Sequence, residues 1–163
     1  MTRSVLTIGA LVACSAADPA FAQDQTASAD VAREVSVSAM RQRELIERFI
    51  AAYNAFDIDG MVAHLSLDVR FENYSGDNLT VATNGITEFR QLAEQSKSLF
   101  SERAQRISSI QFDGGTAIVT IEYRGRFAVD VPDGPRAGEV IELRGTSEYS
   151  FRDGRIMKII DRS

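Results

Sequence analysis

TAIVTIEYRGRFAVDV, residues 116–131, alternates between two kinds of side chain. Ala117, Val119, Ile121, Tyr123, Gly125 and Phe127 fall on one side, and Thr120, Glu122, Arg124 and Arg126 on the other. Such alternation marks a β-strand with one covered face and one wet face. Turn signals bracket it: Asp113-Gly114-Gly115 before and Pro132-Asp133-Gly134-Pro135 after. Working outward, further strands are expected at Gln105–Phe112, Glu139–Phe151 and, past Arg152-Asp153-Gly154, Arg155–Asp161. Parity adds Ile141, Leu143, Gly145, Ser147, Tyr149 and Phe151 to the covered face, then Met157, Ile159 and Asp161. On the wet face Glu142, Arg144, Thr146 and Glu148 lie beside the basic and acidic residues of the first strand. Cross-strand pairs of this kind contribute about 0.2–1 kcal/mol each and suit a solvated ladder or a dimer face.

Upstream the period lengthens. Leu45, Phe49, Ala52 and Phe56 recur at helical spacing, widened by Ile46, Ile50 and Tyr53, which predicts a helix from about Ala39 to Phe56. Asp57 is placed to cap a second helix, Ile58–Leu65. Asp57-Ile58-Asp59-Gly60 has the start of a calcium loop but not its later ligands, so it reads as a helix start. Asp68–Tyr74 alternates again, with Val69, Phe71 and Asn73 on one face. A short strand at Leu79–Ala82 and a third helix at about Thr87–Phe100, apolar at Phe89, Leu92 and Leu99, follow. The class is therefore α+β, with about three helices covering one face of an antiparallel sheet.

The chain has 163 residues, enough for one domain, and 44 % are hydrophobic, enough for a packed core. A net charge of −5 argues against nucleic acid as a partner, and no apolar run is long enough to cross a bilayer. Residues 1–22 read as a signal peptide: Arg3, the apolar segment Val5–Ala13, and Ala20-Phe21-Ala22 before Gln23. Leu11-Val12-Ala13-Cys14 offers an alternative, a lipobox in which Cys14 would carry a lipid anchor. Residues 23–38 read as a flexible lead-in and 39–163 as the domain. The expected location is the periplasm or outside the cell. Removing residues 1–22 deletes one base, Arg3, and one acid, Asp18, so the acidity belongs to the domain.

Three motifs carry a resemblance. They are RFIAAYNAFDIDGM at 48–61, LSLDVRFEN at 65–73 and YSFRDGRI at 149–156. With the order of elements, residues 39–163 resemble the nuclear-transport-factor-2-like superfamily, most closely its SnoaL-like branch, which includes polyketide cyclases and relatives of ketosteroid isomerases. The resemblance implies a cone: a curved sheet wrapped around the helices, enclosing an apolar pocket. Its members include isomerases, cyclases, dehydratases and non-catalytic binding domains, so chemistry has to be argued from the pocket. The ketosteroid isomerase apparatus does not carry over. Its base position falls on Asn73, its oxyanion tyrosine on Phe49 and its second acid on Ser147, and an amide cannot accept a proton as a carboxylate does.

Asp161 is the candidate catalytic residue. Parity puts it with Ile159 and Met157 on the pocket side, where desolvation would raise its pKa toward the range useful for proton transfer. The alternative is a solvated acid near the chain end. Asn73, Tyr123, Ser147 and Tyr149 would supply hydrogen bonds to a polarised oxygen, with Phe49, Tyr53 and His64 lining the ligand site. For His64 a surface or packing role is the favoured alternative. One histidine and one cysteine give no metal set, and no phosphate loop or nucleophile elbow is present, so no cofactor is expected. Two functions stay open: a pocket for a small apolar molecule, with or without cofactor-independent acid–base catalysis, and a non-catalytic module that forms a homodimer through the wet sheet face.

Overall fold

A computed structural model describes residues 19–113 and 115–163, with side chains from Asp30 onward. Most of the expected signal peptide, Cys14 included, lies outside these residues. Two compact units divide the chain, residues 1–36 and 37–163. Helix α1 spans Pro19–Asn54, beginning well before the expected Ala39. Proline suits the first position of a helix, and neither Gly nor Pro interrupts the chain from Ala20 to Asn54. Among the described residues no helix is long and apolar enough to cross a membrane.

In residues 37–163 the elements follow the expected order: α2 (Ile58–Ala63), β1 (Leu65–Ser75), β2 (Asn78–Asn84), α3 (Gly85–Leu99), β3 (Phe100–Asp113), β4 (Thr116–Phe127), β5 (Val140–Arg152) and β6 (Arg155–Arg162). The Asp57 carboxylate accepts from the Gly60 N–H at 2.8 Å and so caps α2. Helix α1 ends in a Schellman motif: the Asp57 N–H reaches the Ala52 carbonyl and the Phe56 N–H that of Tyr53. The left-handed position, usually Gly, is held by Phe56 at φ 56°, a strained conformation for an aromatic residue. Asp153 and Gly154 both have positive φ, as a tight β5–β6 hairpin requires. Strand β4 stops at Phe127, short of the expected Val131, whose N–H instead donates to the Pro135 carbonyl within the following turn.

The six strands form one mixed sheet in the order β2-β1-β6-β5-β4-β3. All neighbours are antiparallel except β1 and β6, which run parallel with Phe71 beside Ile159 and Asn73 beside Asp161. This corrects the all-antiparallel expectation. Both strands start from the end of α2, where the Ile156 N–H donates to the His64 carbonyl. Ile46, Phe49 and Ile50 of α1, Ile58 and Met61 of α2, and Phe89 and Ala93 of α3 pack in one core with Val69, Ala117, Val119, Tyr149, Ile156 and Ile159 of the sheet. Each fully buried aliphatic side chain contributes about 1.5–3 kcal/mol.

Simple parity fails in two places. The β5–β6 register jumps from Ser150–Lys158 to Phe151–Ile156, skipping Met157. Ile156, not Met157, is therefore the fully buried residue at the start of β6, while Ile159 and Asp161 keep the expected side. Leu143, paired with inward Tyr123, is nevertheless 49 % exposed. On the wet face the charge ladder forms: Arg106 with Glu122, Arg124 with Glu102 and Glu142, and Arg162 with Glu148. These pairs are exposed and individually weak.

At Gly145 the end of β6 passes so close that a Cβ would overlap the Arg162 carbonyl oxygen. Gly145→Ala should therefore lower stability by about 1–3 kcal/mol, read as a fall in the thermal midpoint. An unchanged midpoint would contradict this close approach.

Candidate functional site

Strand β6 sets the site. Across the sheet the residues Val81, Asn73, Asp161, Ser147, Val119 and Ile110 pair in sequence, one from each strand. One step along, Thr83, Phe71, Ile159, Tyr149, Ala117 and Phe112 form a similar row. Asp161 is thus flanked by Asn73 and Ser147. The chain end is tied down rather than frayed. Ser163 N–H donates to the Tyr74 carbonyl and its own carbonyl accepts from Gly76.

Between this wall and the helices lies a cavity of about 230 Å³. Phe49, Tyr53, Asn73, Tyr149 and Asp161 line it, together with Met61, Phe71, Phe89, Leu92 and Ile159. A second cavity of about 240 Å³ shares Tyr53, Asn73, Gln105 and Asp161, and adds Tyr123, Leu143 and Ser147. Seven of the eight site residues named from sequence therefore border one or both cavities. His64 borders neither. It sits past the last turn of α2 as its C-cap, whereas Met61, one turn earlier, faces the cavity. Burial and the charges of Arg48 and Arg155 hold the imidazole of His64 below its usual pKa.

Asp161 is the acid of this site. Its Oδ1 accepts from Ser147 Oγ at 2.6 Å. Burial pushes its pKa up to about 6, against the opposing effect of the Ser147 hydrogen bond. Tyr149 is fully buried, its ring edge-on to Phe49 at 6.2 Å. Burial, reinforced by the neighbouring Asp161, raises its hydroxyl well above the normal range, so it stays a proton donor. Burial also raises Tyr53, opposed by Arg103, and raises Tyr123 with Tyr53 adding to it. The Asn73 Nδ2 is engaged with Thr80 Oγ1 at 2.7 Å.

Two lining residues escaped the sequence reading, Arg103 and Gln105 on β3. Arg103 is 6 % exposed. Its Nε donates to the Tyr53 carbonyl at 3.0 Å, and its guanidinium stacks 3.8 Å from the Tyr53 ring centroid and 4.4 Å from that of Phe56. The Asn54 side chain grips the Gln105 backbone through both its amide and its carbonyl. Strand β3 was expected to start at Gln105, which left Arg103 in a loop. The same two-residue spacing continued backward, Ile107, Gln105, Arg103, would have placed both on the covered face.

The arrangement brings one desolvated carboxylic acid and several tyrosine hydroxyls onto apolar walls, which is the equipment for moving a proton on a small molecule.

Solved structures share this architecture. One is a candidate polyketide cyclase from Xanthomonas campestris pv. campestris, 20 % identical, with a TM-score of 0.68 over 77 % of this chain and 92 % of that one. A second is AclR, a candidate hydroxylase from Streptomyces galilaeus, at 22 % identity, TM-score 0.60, covering 76 % and 87 %. A third, from Catenulispora acidiphila DSM 44928, has a ketosteroid isomerase-like fold and was solved with trimethylamine, at 11 % identity, TM-score 0.60, covering 72 % and 83 %. At such identities these likenesses concern the fold and not its chemistry. The SnoaL-like domain model matches residues 46–159, more than half of the sequence. This chain belongs to the SnoaL-like domain family, with the nuclear-transport-factor-2-like cone fold.

Proposed function

We propose that the protein is an exported SnoaL-like enzyme that carries out cofactor-independent proton transfer on a small, largely apolar molecule. The observation that carries this reading is Asp161, with its pKa near 6, in the wall of the apolar cavity. As a carboxylate it would take a proton from a carbon or oxygen of the substrate. The hydroxyls of Tyr53 and Tyr149, too weakly acidic to ionise near neutrality, would donate hydrogen bonds to the oxygen on which charge develops. Isomerisation, cyclisation and dehydration all fit this equipment. The trimethylamine complex of one relative is in keeping with a fold that accepts small molecules.

Export rests on the sequence of residues 1–22, with cleavage before Gln23 and lipidation at Cys14 as the alternative. A homodimer through the outer face of β3–β5 is part of the same reading. Its support is the mixed-sign ladder there, whose self-complementary charges suit a two-fold contact.

Native mass spectrometry of protein purified from the periplasm should show a dimer carrying a dissociable small molecule and an N-terminus at Gln23. A bare protein that also fails to bind any apolar probe would contradict the ligand reading. Once the substrate is in hand, Asp161→Asn should abolish turnover while leaving binding and folding intact; unchanged turnover removes Asp161 from the mechanism.

The raised pKa also has a stability consequence. The folded chain holds the Asp161 proton up to about pH 6, whereas an unperturbed Asp releases it near 3.8. Ionising Asp161 therefore costs the fold, and stability falls as pH rises from about 4 to 6, then levels, by on the order of 1–3 kcal/mol. Asp161→Asn should remove this fall in thermal midpoints measured across the window. An identical pH profile in the variant would show that Asp161 is not desolvated.

A further inference from the structure

Arg103 and Gln105 build a polar part of the 230 Å³ cavity lined by Phe49 and Asp161, and their bonding is incomplete. Arginine stays charged under all ordinary conditions, and Arg103 is buried. Yet among the described residues no carboxylate lies within ion-pair distance of it. Its Nε is committed to the Tyr53 carbonyl, and two aromatic rings hold the guanidinium plane in place. Its Nη2, fully buried, has no hydrogen-bond partner, and neither has the buried Oε1 of Gln105. Both residues line the cavity, and both lie on one strand two residues apart.

Buried polar atoms are normally satisfied, and a buried cation needs an anion more than a neutral group needs a partner. A core packed for stability alone would have placed an apolar side chain here. The stacking against Tyr53 and Phe56 instead pre-orients a planar fork, the shape that pairs with a carboxylate. The strained φ of Phe56 belongs to the same arrangement, since it sets one of the two stacking rings. Phe71, Phe89 and Ile159 give the same cavity apolar lining.

We infer that the molecule this cavity takes is an organic acid, with its carboxylate on Arg103, a hydroxyl or amide N–H donating to Gln105 Oε1, and a ring-sized apolar body against Phe71 and Phe89. The inference rests on the reading of the cavity as a ligand site and sharpens its substrate class from apolar molecule to apolar acid. Asp161 lines the same cavity, so a bound carboxylate would disfavour its ionised form and strengthen it as a proton acceptor.

Calorimetric titration with two matched pairs tests this: cinnamate against cinnamamide, and octanoate against octanamide. In the wild-type protein the acid of a pair should bind about tenfold or more tightly than its amide, the difference expected of a charge-assisted contact. Arg103→Met should erase that preference while amide binding persists, and Arg103→Lys should restore part of it. If Arg103→Met does not fold, the wild-type ratio alone decides. Equal affinity for acid and amide would overturn the anion site and leave the cavity reading standing. Binding of none of the four would overturn both.

Discussion

Strand β6 is inserted between β1 and β5, and the site depends on that insertion. It runs parallel to β1 and antiparallel to β5, and it joins the β1–β2 hairpin to the β3–β5 meander. Without it the sheet would be two separate pieces, each with an exposed edge. The insertion also explains how an acid two positions from the end of the sequence is held in the cavity wall. Backbone pairing on both sides fixes Asp161 between Asn73 and Ser147, and the Gly145 contact admits the backbone that follows it. Its desolvation is then a property of the fold rather than of a mobile tail.

That placement gives the cavity a division of labour. The helices α1 to α3 contribute mostly apolar surface through Phe49, Met61, Phe89 and Leu92. The sheet contributes most of the polar side chains, Asp161 and Asn73 together with Arg103 and Gln105, and α1 adds the Tyr53 hydroxyl. A neutral pocket of this size would discriminate only by shape. An acid that keeps its proton to about pH 6 and a buried cation fixed by two aromatic rings add charge and orientation to shape. The cost is borne in stability, since ionised Asp161 and partly unmatched Arg103 both oppose folding.

Much of this was legible in the sequence because strand parity is a strict rule. Alternation alone put Val119, Ser147, Tyr149, Ile159 and Asp161 on one face, and they are there. The resemblance of the helical motif added the cone and the cavity. Parity misled where the ladder is irregular: the skipped Met157 shifts Ile156 inward, and no local feature of that segment announces it. The parallel β1–β6 pair was equally hidden, since pairing of strands so distant in sequence is set by the closure of the whole sheet. Arg103 was missed for a different reason. A charged residue beside a helix end reads as solvent-facing, and only the folded chain shows Tyr53 and Phe56 enclosing it. Helix α2 ends two residues before the expected Leu65 and leaves His64 as its C-cap, a difference within the usual uncertainty of element ends.

The central claim is that Asp161 is a desolvated acid in a ligand-accessible wall, and its own titration tests this most directly. Carbon NMR of the labelled carboxyl, followed against pH in the folded protein, should give a midpoint near 6. A midpoint near the unperturbed 3.8 would mean that water reaches the carboxylate freely, and the account of the site would be wrong.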